Sequence, residues 1–128
     1  MKKFVFISDY FAHQYTGGAE LTTNAVIIGG KERGHNIVGV NCSSITKKVL
    51  QREKENFHFI VCNFSTLSDE IKLYMCKNTS YSIIEYDYKI CEHRSLDLHF
   101  IKEGKECDCE NRISGKINSA FYGYAEKV

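Results

Sequence analysis

Apolar and polar residues fall along this chain in blocks, and the period of the blocks changes from one to the next. Residues 3–8, KFVFIS, are a short continuous apolar run rich in strand formers. Such a run marks a strand buried on both faces, as in a parallel sheet. Residues 19–31 instead carry Leu21, Ala25 and Ile28, with Val26 and Ile27 beside them, which is helical spacing. Arg33-Gly34-His35 ends that helix, and Gly34 suits a left-handed cap. Residues 37–40 read as a second strand, 46–54 as a polar helix and 57–61 as a third strand. Ser65 or Ser68 can cap a helix running to about residue 77, and 81–86 read as a fourth strand. Strands that alternate with helices over short links predict right-handed crossovers. The expected class is therefore α/β, a Rossmann-like parallel sheet with helices on both faces.

Beyond Asp87 the pattern weakens. Residues 89–112 mix charges, cysteines and histidines with scattered apolar positions, which predicts a long loop. Periodicity returns at Ile113 and runs through Ile117, Ala120, Phe121, Tyr124 and Ala125, a further helix. Residues 1–128 read as a single domain with no repeat or linker.

Composition narrows the class of protein. A chain of 128 residues, 43% apolar and 26% charged, has the makeup of a soluble globular domain. Lys plus Arg number 17 against 16 Asp plus Glu, so the net charge of +1 gives no reason to expect nucleic acid or an anionic membrane as partner. The apolar run after Met1 is interrupted at Asp9, shorter than the roughly 7–15 residues of a secretory core or the roughly 20 of a membrane span. A cytoplasmic location with reduced thiols is expected. Of six cysteines, Cys42 and Cys62 lie in apolar runs and read as core residues.

In open α/β sheets ligands bind outside the carboxyl ends of the strands. Residues 9–20, 41–46 and 85–94 occupy such positions. The first is the most informative, because Gly17-Gly18 opens a helix whose unpaired N–H groups favour anions and lets a ligand approach the backbone closely. The read-alone alternative is an ordinary glycine turn. It is not a dinucleotide fingerprint, since eight residues separate Ser8 from Gly17, and no Gly-Lys-Ser/Thr follows to make a P-loop. Glu85 and Asp87 alternate with Tyr86 and Tyr88 at the end of the fourth strand, so period two points both carboxylates one way. Paired acids there could orient sugar hydroxyls, or form a solvated strand end. His13 would lie over the same cleft.

A strand, a long loop, Gly17-Gly18-Ala19-Glu20 opening a helix, and Arg33-Gly34-His35 before the next strand resemble the N-terminal domain of family 4 retaining glycosyltransferases. Ile84-Glu85-Tyr86-Asp87-Tyr88-Lys89 with Arg94, and the later Ile117-Asn118, Phe121-Tyr122 and 125–128, resemble a phage-associated branch of that family. That branch has His where Tyr86 and Tyr88 stand here, which weakens transfer of an acid–base role to Glu85 and Asp87. The resemblance implies the N-terminal half of a GT-B architecture, an acceptor-side domain inactive alone, with the nucleotide-sugar held by a second domain. It implies Gly17, Gly18, His13, Glu20 and Arg94 as substrate-binding residues and Glu85 and Asp87 as catalytic ones, with Glu20 acting chiefly on the helix dipole. No cofactor is implied. The expected partners are a nucleotide-sugar and a sugar or glycan acceptor. The run 117–128 would lead into a fifth strand, so a chain cut there is expected to self-associate through an open sheet edge unless 113–128 closes it.

The competing reading is a non-catalytic binding module clipped by zinc. Cys91-Glu92-His93 and Cys107-Asp108-Cys109, with 13 residues between, offer four N/S ligands. Single-residue spacing within each pair is tighter than structural zinc sites use, so reduced thiols in a variable loop are the expectation, with no metal. A third reading is a small stand-alone nucleotide-binding protein of flavodoxin-like topology.

Overall fold

The computed structural model describes residues 3–15, 17–86 and 96–128, the side chains of 96–99 and of Glu110 excepted. Four strands, β1 (Lys3–Ser8), β2 (Asn36–Asn41), β3 (His58–Val61) and β4 (Tyr81–Ile83), form one sheet in the order β2-β1-β3-β4. Every pairing is parallel, with Phe6 opposite Gly39 and Ile60, and Ile60 opposite Ser82. Helices α1 (Gly18–Glu32), α2 (Lys47–Glu53), α3 (Asp69–Asn78), α4 (Leu96–Glu103) and α5 (Ile113–Tyr124) complete the chain. The fold is a Rossmann-like α/β sheet with helices on both faces.

Local chemistry sets the boundaries. Gly34 takes φ +86 and ends α1 with two crossed backbone bonds, His35 N–H to Gly30 C=O at 3.1 Å and Gly34 N–H to Lys31 C=O at 3.0 Å. This is the paired arrangement that satisfies terminal carbonyls, and a left-handed glycine makes it accessible. Ser68, rather than Ser65, caps α3 by accepting the Ile71 N–H at 3.2 Å, and Thr46 caps α2 through the Val49 N–H.

The two faces of the sheet are filled unequally. Val5, Ile7, Phe59, Val61, Tyr81 and Ile83 point to one face, where Leu50 of α2, Ile71 and Met75 of α3 and Phe121 of α5 meet them. Tyr81 and Phe121 stack with centroids 4.7 Å apart, and the Tyr81 hydroxyl donates to the Phe121 carbonyl. On the other face Phe6, Phe11 and Cys62 form a smaller cluster with Phe4, Ile27, Ile37, Ile60, Ile84 and Tyr86 around it. α1 lies there, and its inward row is Glu20, Thr23 and Ile27. Leu21 and Ile28, the residues that signal the helix in the sequence, are each about half exposed.

Three elements depart from the sequence reading. β4 ends at Ile83, three residues early, with one further ladder bond from the Ile84 N–H to the Val61 carbonyl. The stretch expected to be a loop contains α4 and a short 3₁₀ turn at Cys109–Asn111. The residues after α5 run along the open edge of β4. Glu126 N–H bonds Tyr81 C=O at 2.8 Å and Ile83 N–H bonds Lys127 C=O at 2.7 Å, advancing in the same direction as the strand. Residues 113–124 form a helix, as the periodicity predicts, and residues 126–127 occupy part of the β4 edge. No helix among the described residues is long and apolar enough to cross a membrane.

Candidate functional site

The strand order reverses between β1 and β3: the chain leaves β1 toward β2 and returns on the far side to β3. A crevice outside the carboxyl ends at such a reversal is where open α/β sheets place ligands. Here Asp9, directly after β1, organises that end. Its carboxylate accepts the backbone N–H of Ser65 at 2.8 Å, the N–H of Thr66 at 2.8 Å and the Thr66 hydroxyl at 2.6 Å. Burial raises the Asp9 pKa, but these hydrogen bonds outweigh it and hold the group below its ordinary 3.8. Asp9 also donates its own N–H to Asn63 C=O at 2.8 Å, joining β1 to β3 beyond the sheet. Cys42 lies beneath this link. Burial first, and the nearby Asp9 charge second, push its thiol far up, so it stays protonated and unreactive.

The loop from Asp9 to Gly17 is pinned on its other side by β2. Asn41, the last residue of β2, and Gln14 form a reciprocal amide pair with bonds of 2.8 and 2.9 Å. Asn41 also donates to the Asp9 carbonyl at 3.1 Å, and Gln14 Oε1 accepts the Phe11 N–H at 3.0 Å. The loop is thus held to both strands flanking its origin. It presents His13 to solvent, stacked on Phe11 with rings nearly parallel and centroids 6.4 Å apart.

At the end of this loop Gly17 is the N-cap of α1 and, as glycine, brings no capping side chain of its own. A helix head of this kind exposes N–H groups that favour a negative charge. A Cβ placed on Gly17 would fall 2.6 Å from Glu20 Oε2 and 3.1 Å from the Tyr15 ring, so a side chain there would displace the Glu20 carboxylate and crowd Tyr15. Gly18 is the opposite case, exposed, with nothing within 4 Å of a built Cβ. Glu20 folds back over Gly17 and is only 8% exposed, a carboxylate in the first turn where the helix dipole stabilises negative charge. One turn on, the buried Thr23 hydroxyl hydrogen-bonds the Tyr86 hydroxyl at 2.7 Å. Burial pushes the Tyr86 phenol up, the Thr23 bond pulls it down, and the Cys62 and Glu20 charges add to the rise. Tyr86 therefore acts as a neutral hydroxyl at physiological pH.

The sequence-expected residues divide as follows. Gly17, Gly18 and Glu20 come together at the head of α1, with His13 on the loop above them. Glu85 lies beyond the shortened β4 and is exposed, while its neighbour Tyr86 turns inward to α1. Asp87 and Arg94 lie outside the described residues, and so do Cys91 and His93 of the alternative zinc reading. Among the described residues no three His, Cys, Asp or Glu side chains are grouped to hold a metal ion. Sequence reasoning missed Asp9, Asn41, Thr23 and Tyr86. The first two carry a legible signal, a polar side chain immediately after a strand. Thr23 and Tyr86 are 63 positions apart and carry none.

The chain matches no family model, no curated protein and no solved structure.

Proposed function

We propose that this domain forms one wall of a glycosyltransferase cleft, the acceptor-side half of a GT-B enzyme that transfers a sugar from a nucleotide-sugar to an acceptor. The observation that carries the reading is the glycine-opened helix head at Gly17-Gly18, with Glu20 folded back beside it. It stands at the carboxyl edge of the sheet beside the strand-order reversal, under a loop braced by Asp9 and Asn41. In this reading the α1 N–H groups face a donor phosphate, Gly18 leaves room for it, and the Thr23–Tyr86 pair lines the floor. Glu85 and Asp87 act on the sugar, and Arg94 completes the anion-facing set. His13 borders the acceptor side.

Group transfer requires both reactants held in near-attack geometry, and one wall does not achieve that. The 128-residue chain is therefore expected to contact nucleotide-sugars weakly and turn none over. Saturation-transfer NMR with UDP-, GDP- and ADP-glucose checks this. Transfer to the sugar protons of at least one donor, lost in Gly18→Trp, is the expected result. Equal transfer in wild type and variant, or binding of inorganic phosphate alone, contradicts the assignment. Multiple turnovers by the purified chain contradict the half-enzyme reading.

A further inference from the structure

Away from the α1 head, the open half of the same sheet face holds a second group of residues with a different chemistry. His58 opens β3 and Ser82 lies in the middle of β4. Parallel pairing puts their side chains side by side on the face that α1 leaves uncovered, with His58 Nε2 2.9 Å from Ser82 Oγ. On the far side of the ring, His58 Nδ1 lies 4.0 Å from Glu126 Oε2. The other Glu126 oxygen accepts the Ser80 hydroxyl at 2.8 Å, and the Glu126 backbone is bonded to Tyr81. The Ser80 bond holds the carboxylate, and the backbone bond holds the residue, beside the ring at an exposed edge. Phe4 packs edge-on against His58 with centroids 6.2 Å apart and limits its rotation. These residues line a groove of about 350 Å³ together with Ile60 and Lys127.

We propose that Ser82, His58 and Glu126 form a serine-nucleophile site that hydrolyses small carboxylic esters. A hydroxyl within hydrogen-bond reach of an imidazole, itself faced by an acid, is the geometry by which a weak nucleophile is activated, whatever the fold. With its proton on Nδ1, His58 directs that N–H toward Glu126 and accepts from Ser82. Ser82 Oγ attacks the ester carbonyl, forming the Oγ–C bond as its proton passes to Nε2. The tetrahedral intermediate breaks its bond to the alcohol, which leaves with the proton from Nε2. Water then attacks the acyl-serine, giving one proton to His58, and Ser82 leaves with that proton while the carboxylic acid departs. Ser82 and His58 are the catalytic residues, and Glu126 is a positioning residue. Phe4 and Ile60 suit a short apolar acyl group, and the cationic residue Lys127 also lines the groove.

The test uses the 128-residue chain, an alkyl fluorophosphonate and p-nitrophenyl acetate. Peptide mass spectrometry is expected to find a single phosphonyl adduct on Ser82, absent in Ser82→Ala. His58→Gln can still hydrogen-bond Ser82 but cannot take its proton, and should slow labelling by roughly 100-fold or more. Glu126→Gln keeps the bond from Ser80 and loses the charge. It should lower kcat on the acetate by about tenfold with KM unchanged, a modest loss because 4.0 Å is beyond hydrogen-bond range. Circular dichroism confirms that each variant folds. An adduct elsewhere than Ser82, no adduct at all, or labelling at the same rate in His58→Gln overturns the proposal.

Discussion

The two faces of this sheet are made from the same four strands and do opposite things. On one, every strand contributes a side chain to a filled interior. Leu50, Phe59, Met75, Tyr81 and Phe121 are fully removed from solvent there. On the other, α1 covers only part of the sheet and turns Glu20 and Thr23 inward, while Phe4, Ile37 and Ile60 stay partly exposed along grooves. Gly17, Glu20, Thr23, Tyr86, His58 and Ser82 lie on that second face or at its carboxyl edge. A closely packed interior has no room for a ligand and no tolerance for a polar group without a partner. The face that is incompletely covered can hold both, and the fully packed face supplies the stability that permits it.

The sharpest way to break this comparison is to create a cavity on each face. Phe121→Ala should cost about 3–5 kcal/mol, the range for aromatic truncation in a packed core. Ile60→Ala, on the open face, should cost about 1 kcal/mol, because its site is already partly hydrated. Urea denaturation midpoints measure both. Equal losses would mean that the faces are not energetically distinct.

Asp9 comes next, because it joins the two halves of the carboxyl edge. Asp9→Asn removes the charge that three donors share and should cost about 2 kcal/mol. Its folded pKa lies below the ordinary 3.8, so its contribution is complete above that value and disappears as pH falls through the lower folded value. Wild type should therefore lose stability more steeply than Asp9→Asn as pH falls below the ordinary 3.8. Parallel melting curves in that window are the check, and curves of equal slope would remove Asp9 from the account.

The smallest effects concern glycine. Gly34→Ala forces a Cβ into the left-handed region at φ +86 and should cost about 1 kcal/mol. Gly18→Ala meets nothing within 4 Å and should be neutral or stabilising by about 0.5 kcal/mol. Thermal melts should fall for Gly34→Ala and stay level or rise for Gly18→Ala.

What the sequence made legible was local. The apolar run of β1, the Gly34 cap and the Ser68 cap each depend on a few neighbouring residues, and all three are observed. Ile84, Glu85 and Tyr86 continue the alternation of β4 in the sequence, yet the strand ends at Ile83. In the fold Tyr86 leaves the ladder to bond Thr23 on α1, a partner that no spacing rule could supply. α4 was hidden because Leu96, Phe100 and Ile101 are diluted by charges in a stretch without strong periodicity. α1 was placed correctly, yet its helical signal came from Leu21 and Ile28, which face solvent, while its buried row includes a carboxylate and a hydroxyl. Burying Glu20 over Gly17 is a tertiary arrangement that makes sense only once the loop and Tyr86 are in place. The same is true of Ser82, His58 and Glu126, which three separate elements bring together.

The most direct measurement of the central claim, that the α1 face carries the binding chemistry, is an amide-resolved ¹H–¹⁵N NMR titration with UDP-glucose into the millimolar range. The account predicts progressive shifts for Gly17, Gly18, Ala19, Glu20, Thr23 and Tyr86, and none for Phe59, Met75, Tyr81 or Phe121. Shifts confined to α2 and α3, around Lys47, Glu70 and Tyr74, or the absence of any shift at the head of α1, would contradict it.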